Sequence, residues 1–196
     1  MRYEWPRELS EQDMREMIEL MDAVAVKEQT LGFYEPVGLE KGLPLMRAFD
    51  ADLRKGALHV LAVRDDDDGR IVGMVTLARA PLPARRHIVD MRRCVIAPDR
   101  RGQFLLEGWA EALHKAKEIG CEVITLEVRD DGPVGLWERL GFREYGRLPD
   151  YARADGRAVT GFYLHARIAD ILAHFETTGS WLHEPQQDDS RAVAAS

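Results

Sequence analysis

The chain has 196 residues, of which 45% are hydrophobic and 31% are charged, a composition typical of a globular protein with one well-buried core. Its net charge of −7 argues against a general nucleic-acid-binding protein. No apolar run approaches the roughly 20 residues that cross a bilayer, and the N-terminal segment has no apolar signal-peptide core. We therefore expect a cytoplasmic protein that binds neither nucleic acids nor membranes.

The N-terminal part of the chain predicts two helices joined by a loop. Residues 10–13 resemble a capping box, and apolar residues then recur at helical spacing to about residue 27. Glycine and proline interrupt the pattern within 28–42, and a second helical pattern follows. The loop contains Tyr34 and Glu35, which suit a pocket wall as well as a plain helix connection.

Residues 57–64 and 71–78 predict two strands of a hairpin, with the aspartate run 65–69 as its turn. An EF-hand loop that began at Asp65 would need a glutamate at its twelfth position, where Thr76 stands. The six histidines show no metal-ligand spacing either. We expect a solvated turn and no metal.

An apolar strand over 87–96 runs into a basic turn over 99–103, and a helix pattern begins directly after it. This order of elements directs backbone N–H groups and the positive end of a helix dipole toward a phosphate group. Several arginines precede the turn. They indicate either an anion site or a surface with scattered charges.

The rest of the chain predicts a strand over 121–128, a short helix over 133–140 and a strand over 142–147. A polar loop over 148–157 and a strand over 158–167 follow. We expect a single domain over 1–168 with a mixed α/β (α+β) sheet, and a C-terminal helix with a flexible tail over 169–196. Cys94 and Cys121 lie in apolar strand patterns, which favours buried free thiols over a disulfide or a metal site.

Two segments resemble the GNAT superfamily of acyl-CoA N-acyltransferases. Residues 95–103, with the sequence VIAPDRRGQ, are similar to its acyl-CoA loop, and residues 136–142, LWERLGF, are similar to its L-Y-x-x-L-G-F element. Residues 146–152 and 155–157 look like the ends of small-molecule antibiotic- and toxin-modifying members, such as the tabtoxin-resistance acetyltransferases. The resemblance implies a mixed, mostly antiparallel central sheet flanked by helices.

The activity that the resemblance implies is transfer of an acetyl or short acyl group to an amine of a small molecule, by direct attack on an acyl thioester. Acetyl-CoA is the expected donor, and a homodimer is compatible with the resemblance. Phe104 and Leu106 replace two loop glycines of the family, and Trp137 replaces a tyrosine that protonates the leaving thiolate in many members. These departures leave two alternatives, a donor on an acyl carrier protein's phosphopantetheine and a non-catalytic acyl-CoA-binding module.

The resemblance, together with the predicted loops over 28–42, 79–88 and 148–157, gives candidate site residues. Asp90 stands where the family often has a catalytic glutamate and is the first candidate base, with Glu127 as the second; Asp90 could equally be a strand residue paired with Arg92. Tyr145 could protonate the thiolate or could simply pack. The expected thioester-binding set comprises backbone groups of Cys94, Val95 and Ile96 and the loop residues Arg100, Arg101, Gly102, Gln103, Phe104, Leu105 and Leu106. The expected acceptor-binding set is Tyr34, Glu35, Arg85, His87 and Tyr151.

Overall fold

A computed structural model of the chain describes residues 1–28, 35–154 and 156–183. Tyr34, one of the predicted acceptor residues, lies outside this described part. The strands are β1 Arg2–Glu4, β2 Leu58–Arg64, β3 Ile71–Arg79, β4 Ile88–Ile96, β5 Val123–Arg129, β6 Arg143–Ala154 and β7 Arg157–Arg167. The helices are α1 Glu11–Glu28, α2 Gly38–Arg54, α3 Leu105–Glu118, α4 Val134–Arg139 and α5 Ile168–Thr178, with short 3₁₀ turns at Pro83–Arg85 and Pro98–Arg100.

The seven strands form one sheet in the order β1-β2-β3-β4-β5-β7-β6. Every neighbouring pair is antiparallel except β4 and β5, which run parallel. A parallel pair needs a crossover connection, which α3 supplies. The predicted mixed, mostly antiparallel sheet flanked by helices is confirmed.

Helices cover both faces of the N-terminal half of the sheet, so both alternating sets of side chains on β2 and β3 are buried. Helix α3 packs on β2 and β3, while α1 contacts β3 and β4 and α2 contacts β2. In the C-terminal half, α5 packs against β7. One face of β5 and β7 there carries half-exposed or exposed polar and aromatic side chains, so it forms an open surface beside α1 and α2.

The structure corrects two details of the prediction. Strand β6 continues to Ala154, so most of the predicted loop 148–157 is the distal part of a β-hairpin with β7. The short strand β1 was not predicted; it pairs with β2 at the edge of the sheet. Within the described residues, no helix is both long enough and apolar enough to cross a membrane.

Candidate active site

A gap opens in the middle of the sheet between β4 and β5. The two strands pair only where Ile88–Asp90 lies beside Val123–Thr125, although β4 continues to Ile96. Beyond Asp90, the β4 edge that faces β5 has no strand partner in the described part of the chain. Its backbone groups are therefore accessible to an extended ligand that lies along the strand.

A β-bulge interrupts β4 at the same place. Met74 pairs with Val95 and Thr76 pairs with Arg92, so Val75 of β3 faces two residues of β4, Arg93 and Cys94. Arg93 has a φ of 49°, in the left-handed region. A bulge bends its strand and redirects side chains, and here it lies at the mouth of the gap.

The turn between β4 and α3 is tied to a neighbouring turn. The Arg100 guanidinium lies 2.8 Å from the buried Asp65 carboxylate in the β2–β3 turn, and the Gln103 side chain donates to the Asp99 carbonyl at 3.3 Å. Gly102 has a φ of 76° with open space around it. Arg100 thus anchors the turn, while Arg101 is exposed on its surface.

Helix α3 begins at Leu105, directly after this turn. The N–H groups in the first turn of a helix have no intrahelical acceptor and carry its positive dipole end. Leu105 and Leu106 are half-buried, so their side chains pack while their N–H groups face the turn end of the helix. This arrangement suits a phosphate group.

The buried Phe104 ring stands at a position where the GNAT loop pattern has a glycine. It packs against Gly73 of β3, where a Cβ would lie 2.7 Å from a ring carbon. The φ of Phe104 is −142°, which any L-residue can adopt. The missing glycine therefore changes how the start of α3 is anchored to the sheet, and the turn still forms.

An apolar cleft lies between this anchor and the gap. Its empty volume is about 380 Å³, including space open to solvent, and its walls include Cys94, Ile96, Phe104, Trp109 and Trp137. Trp109 and Trp137 meet edge to face with centroids 6.2 Å apart, and the buried indole N–H of Trp109 has no hydrogen-bond partner. The walls of the cleft are therefore apolar.

The opposite face of the gap carries carboxylates and aromatic rings. Strand register places five side chains on this acceptor face: Asp90, Thr125, Glu127, Tyr163 and His165. The Thr125 hydroxyl donates to one Asp90 oxygen at 3.1 Å, and the Arg92 Nε donates to the other at 2.6 Å. Asp90 is thus held at the vertex of the gap. Thr125 was missed in the sequence, although its alternation with Glu127 along β5 was a usable signal.

Tyrosines complete the acceptor face. The Tyr151 hydroxyl donates to Glu127 at 2.8 Å; burial and this hydrogen bond raise the pKa of Tyr151 to about 12. Burial and the charges of Asp90 and Glu127 raise the pKa of Tyr145, which lies 6.1 Å from the Tyr163 ring. A tyrosine hydroxyl with an ordinary pKa is already protonated at neutral pH, and the raised pKa values of Tyr145 and Tyr151 reinforce this state.

Of the remaining predicted acceptor residues that the structure describes, only Arg85 acts on the residues of the acceptor face. Arg85, in the 3₁₀ turn before β4, is close enough for its charge to lower the pKa of Tyr145. His87 and Glu35 are exposed; the His87 carbonyl accepts backbone bonds from Glu122 and Val123. The structure therefore places Asp90, Glu127, Tyr145 and Tyr151 on one face, with the charge of Arg85 acting on Tyr145. It shows no contact of Glu35 or the His87 ring with them.

Cys94 departs from the expected buried thiol, whereas Cys121 is buried. The Cys94 side chain is accessible from the cleft, but it lies deep among protein atoms, and this desolvation raises the pKa of its thiol to about 11. The thiolate is the nucleophilic form, so Cys94 is a poor acyl carrier at neutral pH.

Replacing Cys94 by alanine tests this assignment. Because the backbone N–H is retained and the thiol is protonated, we expect kcat to stay within about threefold of the wild type. Intact-protein mass spectrometry after mixing with acetyl-CoA compares the wild type with Cys94→Ala. We expect no acetyl adduct that depends on Cys94. A loss of about 100-fold together with such an adduct would instead indicate a covalent acyl-enzyme.

Within the described residues, no group of three or more histidine, cysteine, aspartate or glutamate side chains is arranged to hold a metal ion.

Comparison with known proteins adds a family and a fold. Residues 23–142, more than half of the chain, match the model of the acetyltransferase (GNAT) family. No curated protein matches the chain in sequence.

Several solved structures share the fold at low identity. A proposed phosphinothricin N-acetyltransferase superposes with a TM-score of 0.70 at 17% identity, covering 85% of this chain and 99% of that one. Ribosomal-protein-alanine N-acetyltransferase from Brucella melitensis superposes with a TM-score of 0.70 at 18% sequence identity. The match covers 85% of this chain and 99% of that one. A proposed acetyltransferase from Salmonella typhimurium, solved with its cofactor acetyl-CoA, superposes with a TM-score of 0.69 at 13% sequence identity. The match covers 85% of this chain and 93% of that one.

Proposed function

The chain belongs to the GNAT acetyltransferase family, and we propose that it transfers an acetyl group from acetyl-CoA to an amine of a small molecule by direct attack. The observation that carries this proposal is the gap between β4 and β5. An apolar cleft opens on the α3 side of the gap, and the Asp90 carboxylate lies at its vertex on the acceptor face.

The residues present fit a CoA thioester. The accessible turn around Gly102, the exposed Arg101 and the start of α3 would hold the phosphates, while the β4 edge at Cys94–Ile96 and the cleft would hold the pantetheine arm. When bound, the thioester supplies an electrophilic carbonyl. The contribution of the protein is then to align that carbonyl with the amine and to manage protons.

Asp90 is the proposed general base. Its carboxylate is fixed by Thr125 and Arg92, which leaves it oriented to take a proton from an amine, directly or through one water molecule. Aspartate is one methylene shorter than the glutamate common in the family, which favours the water-mediated route. Glu127 is exposed and accepts from Tyr151, so we assign it to binding the ammonium form of the acceptor.

Tyr145 remains our proposed acid for the leaving thiolate, because it carries a proton and lies near Asp90. Trp137 cannot take this role, since an indole N–H is not a useful acid. Tyr145 is 58% exposed, so we expect it to act from the acceptor face and not from the cleft that Trp137 lines.

The altered sequence of the turn before α3 raises the question of whether the acyl donor is CoA or a carrier protein. The α3 turn lacks two glycines of the family pattern, and a phosphopantetheine on a carrier protein would need fewer contacts there than CoA. We expect release of free thiol from acetyl-CoA in the presence of a panel of primary amines, at a kcat/KM at least about tenfold above that with an acetylated carrier protein. A preference for the carrier protein would overturn the assignment of the donor; no turnover with either donor, despite CoA binding, would indicate a non-catalytic module.

A further inference from the structure

Arg93 places a half-buried positive charge on β4, three residues along the chain from Asp90 of the proposed amine site. Its guanidinium carbon lies 4.8 Å from the centre of the Phe49 ring on α2, and the residue is partly shielded from solvent. No carboxylate in the described part of the chain forms an ion pair with it, whereas the neighbouring Arg92 is paired with Asp90. A desolvated cation without a counter-charge is costly, so this position suits an anion that arrives with a ligand.

The backbone of Arg93 supports a functional role. Its φ of 49° is unusual for a residue with a side chain, and such strained conformations cluster at ligand sites. The strain is held by β3, which pairs with β4 on both sides of the bulge. The bulge directs the guanidinium toward α2. The arrangement therefore fixes the guanidinium and does not leave it free on the surface.

The electrostatic environment agrees with an uncompensated charge. Burial, followed by the positive charge of Arg92, lowers the pKa of the Arg93 guanidinium; no acidic group raises it. Arg100, by contrast, has a pKa raised by its hydrogen bond and charge interaction with Asp65. Of these two arginines, only Arg93 has no acidic partner among the described residues.

The position of Arg93 relative to Asp90 sets the chemistry of the ligand. The two residues are three apart on β4, which corresponds to roughly 10 Å along a strand. On the acceptor face, Asp90, Glu127 and the tyrosines suit an ammonium group, while Arg93 suits an oxyanion. A single small molecule could engage both if it carries an amine and an oxyanion separated by several bonds.

We propose that Arg93 binds an oxyanion of the acceptor, so that the acceptor of this enzyme is a small molecule bearing both an amine and a carboxylate or similar oxyanion. This inference rests on the proposed function, because it assigns a specificity-determining residue to the same site. It excludes simple polyamines as the preferred class, since these place a second cation where Arg93 lies.

Paired acceptors test the inference. The wild type and Arg93→Met are each assayed with a panel of acceptors: glycine, β-alanine, γ-aminobutyrate, L-glutamate, the corresponding carboxamides and two aminoalkylphosphonates. Methionine keeps an unbranched side chain against Phe49. We expect wild type to prefer the anionic member of its best pair, and Arg93→Met to lower kcat/KM for that member by about 10- to 100-fold, the range of a charge-assisted hydrogen bond. Activity with the carboxamide should change by less than about threefold.

A control variant and a binding measurement separate this inference from the acetyltransferase proposal. Arg47→Gln removes one exposed positive charge from the same helix as Phe49 and should leave the preference unchanged. Titration calorimetry of the anionic amines against the enzyme with CoA should show binding that Arg93→Met abolishes, whether or not turnover occurs. Equal use of acid and amide by wild type, an equal loss for both in Arg93→Met, or no binding of any anionic amine would overturn the inference. The first two outcomes would leave the acetyltransferase assignment standing.

Discussion

Replacing Asp90 by asparagine is expected to lower kcat by about 10²- to 10⁴-fold, the usual contribution of a positioned general base. Asparagine preserves the size of the side chain and can still accept from the Thr125 hydroxyl, whose oxygen lies 3.1 Å from Asp90 in the wild type, so the fold and CoA binding should be retained. The measurement is steady-state release of free thiol from acetyl-CoA with a saturating amine acceptor.

Two variants give this prediction its controls. Asp90→Glu keeps a carboxylate, on the longer side chain that many family members have, and its activity should stay within about tenfold of wild type. Glu144→Gln removes an exposed carboxylate on β6 that is paired with Arg147 and should have no such effect. If Asp90→Asn is as active as Glu144→Gln, Asp90 is a structural ion-pair residue, and Glu127 becomes the candidate base.

The second large effect concerns stability. Phe104→Ala removes a ring that is 3% exposed and that fills the space above Gly73. Loss of such a ring typically costs about 3–5 kcal/mol in free energy of unfolding. Chemical denaturation of wild type and variant measures this difference. Phe175→Ala is the comparison, because Phe175 is half-buried and stacked on Trp181 at a centroid distance of 3.9 Å, and its loss should cost clearly less.

The partner position supplies a reciprocal test. Gly73→Ala places a Cβ 2.7 Å from the Phe104 ring, and overpacking of this kind costs about 1–3 kcal/mol. Combining Gly73→Ala with Phe104→Leu should recover part of that loss, since leucine is smaller than the ring. Additive free-energy changes in the double variant would show that the two positions are not coupled, which would contradict the anchoring of α3 by Phe104.

The fold was predictable from the sequence because its main signals are local. The capping pattern before α1, the aspartate turn between β2 and β3, and the glycines after α3 and α4 each mark an element boundary. The order of the predicted elements along the chain, together with the family resemblance, then predicts the mixed sheet. The extension of β6 to Ala154 was missed because the polar residues of 148–157 form an exposed hairpin, where pairing with β7 and not hydrophobic burial determines the structure.

The candidate site was predictable only in part, because its decisive features are long-range. Asp90 and Glu127 are candidates because the family resemblance places a catalytic carboxylate at Asp90 and because Glu127 lies near the end of a predicted strand. The pairing of Asp90 with Thr125, the packing of Phe104 on Gly73 and the left-handed backbone of Arg93 depend on strand register and on a bulge, which sequence patterns do not encode. Phe104 stands where the family pattern has a glycine, and the structure shows that its ring anchors the turn by packing on Gly73.

A crystal structure with CoA bound tests the central claim most directly, namely that the gap between β4 and β5 carries the thioester to Asp90. We predict the pantetheine arm along the β4 edge at Cys94–Ile96, the phosphates at the turn before α3, and the sulfur opening onto the acceptor face near Asp90. A complex in which CoA lies outside the gap, or in which its sulfur points away from Asp90 toward the interior of the cleft, would contradict this account.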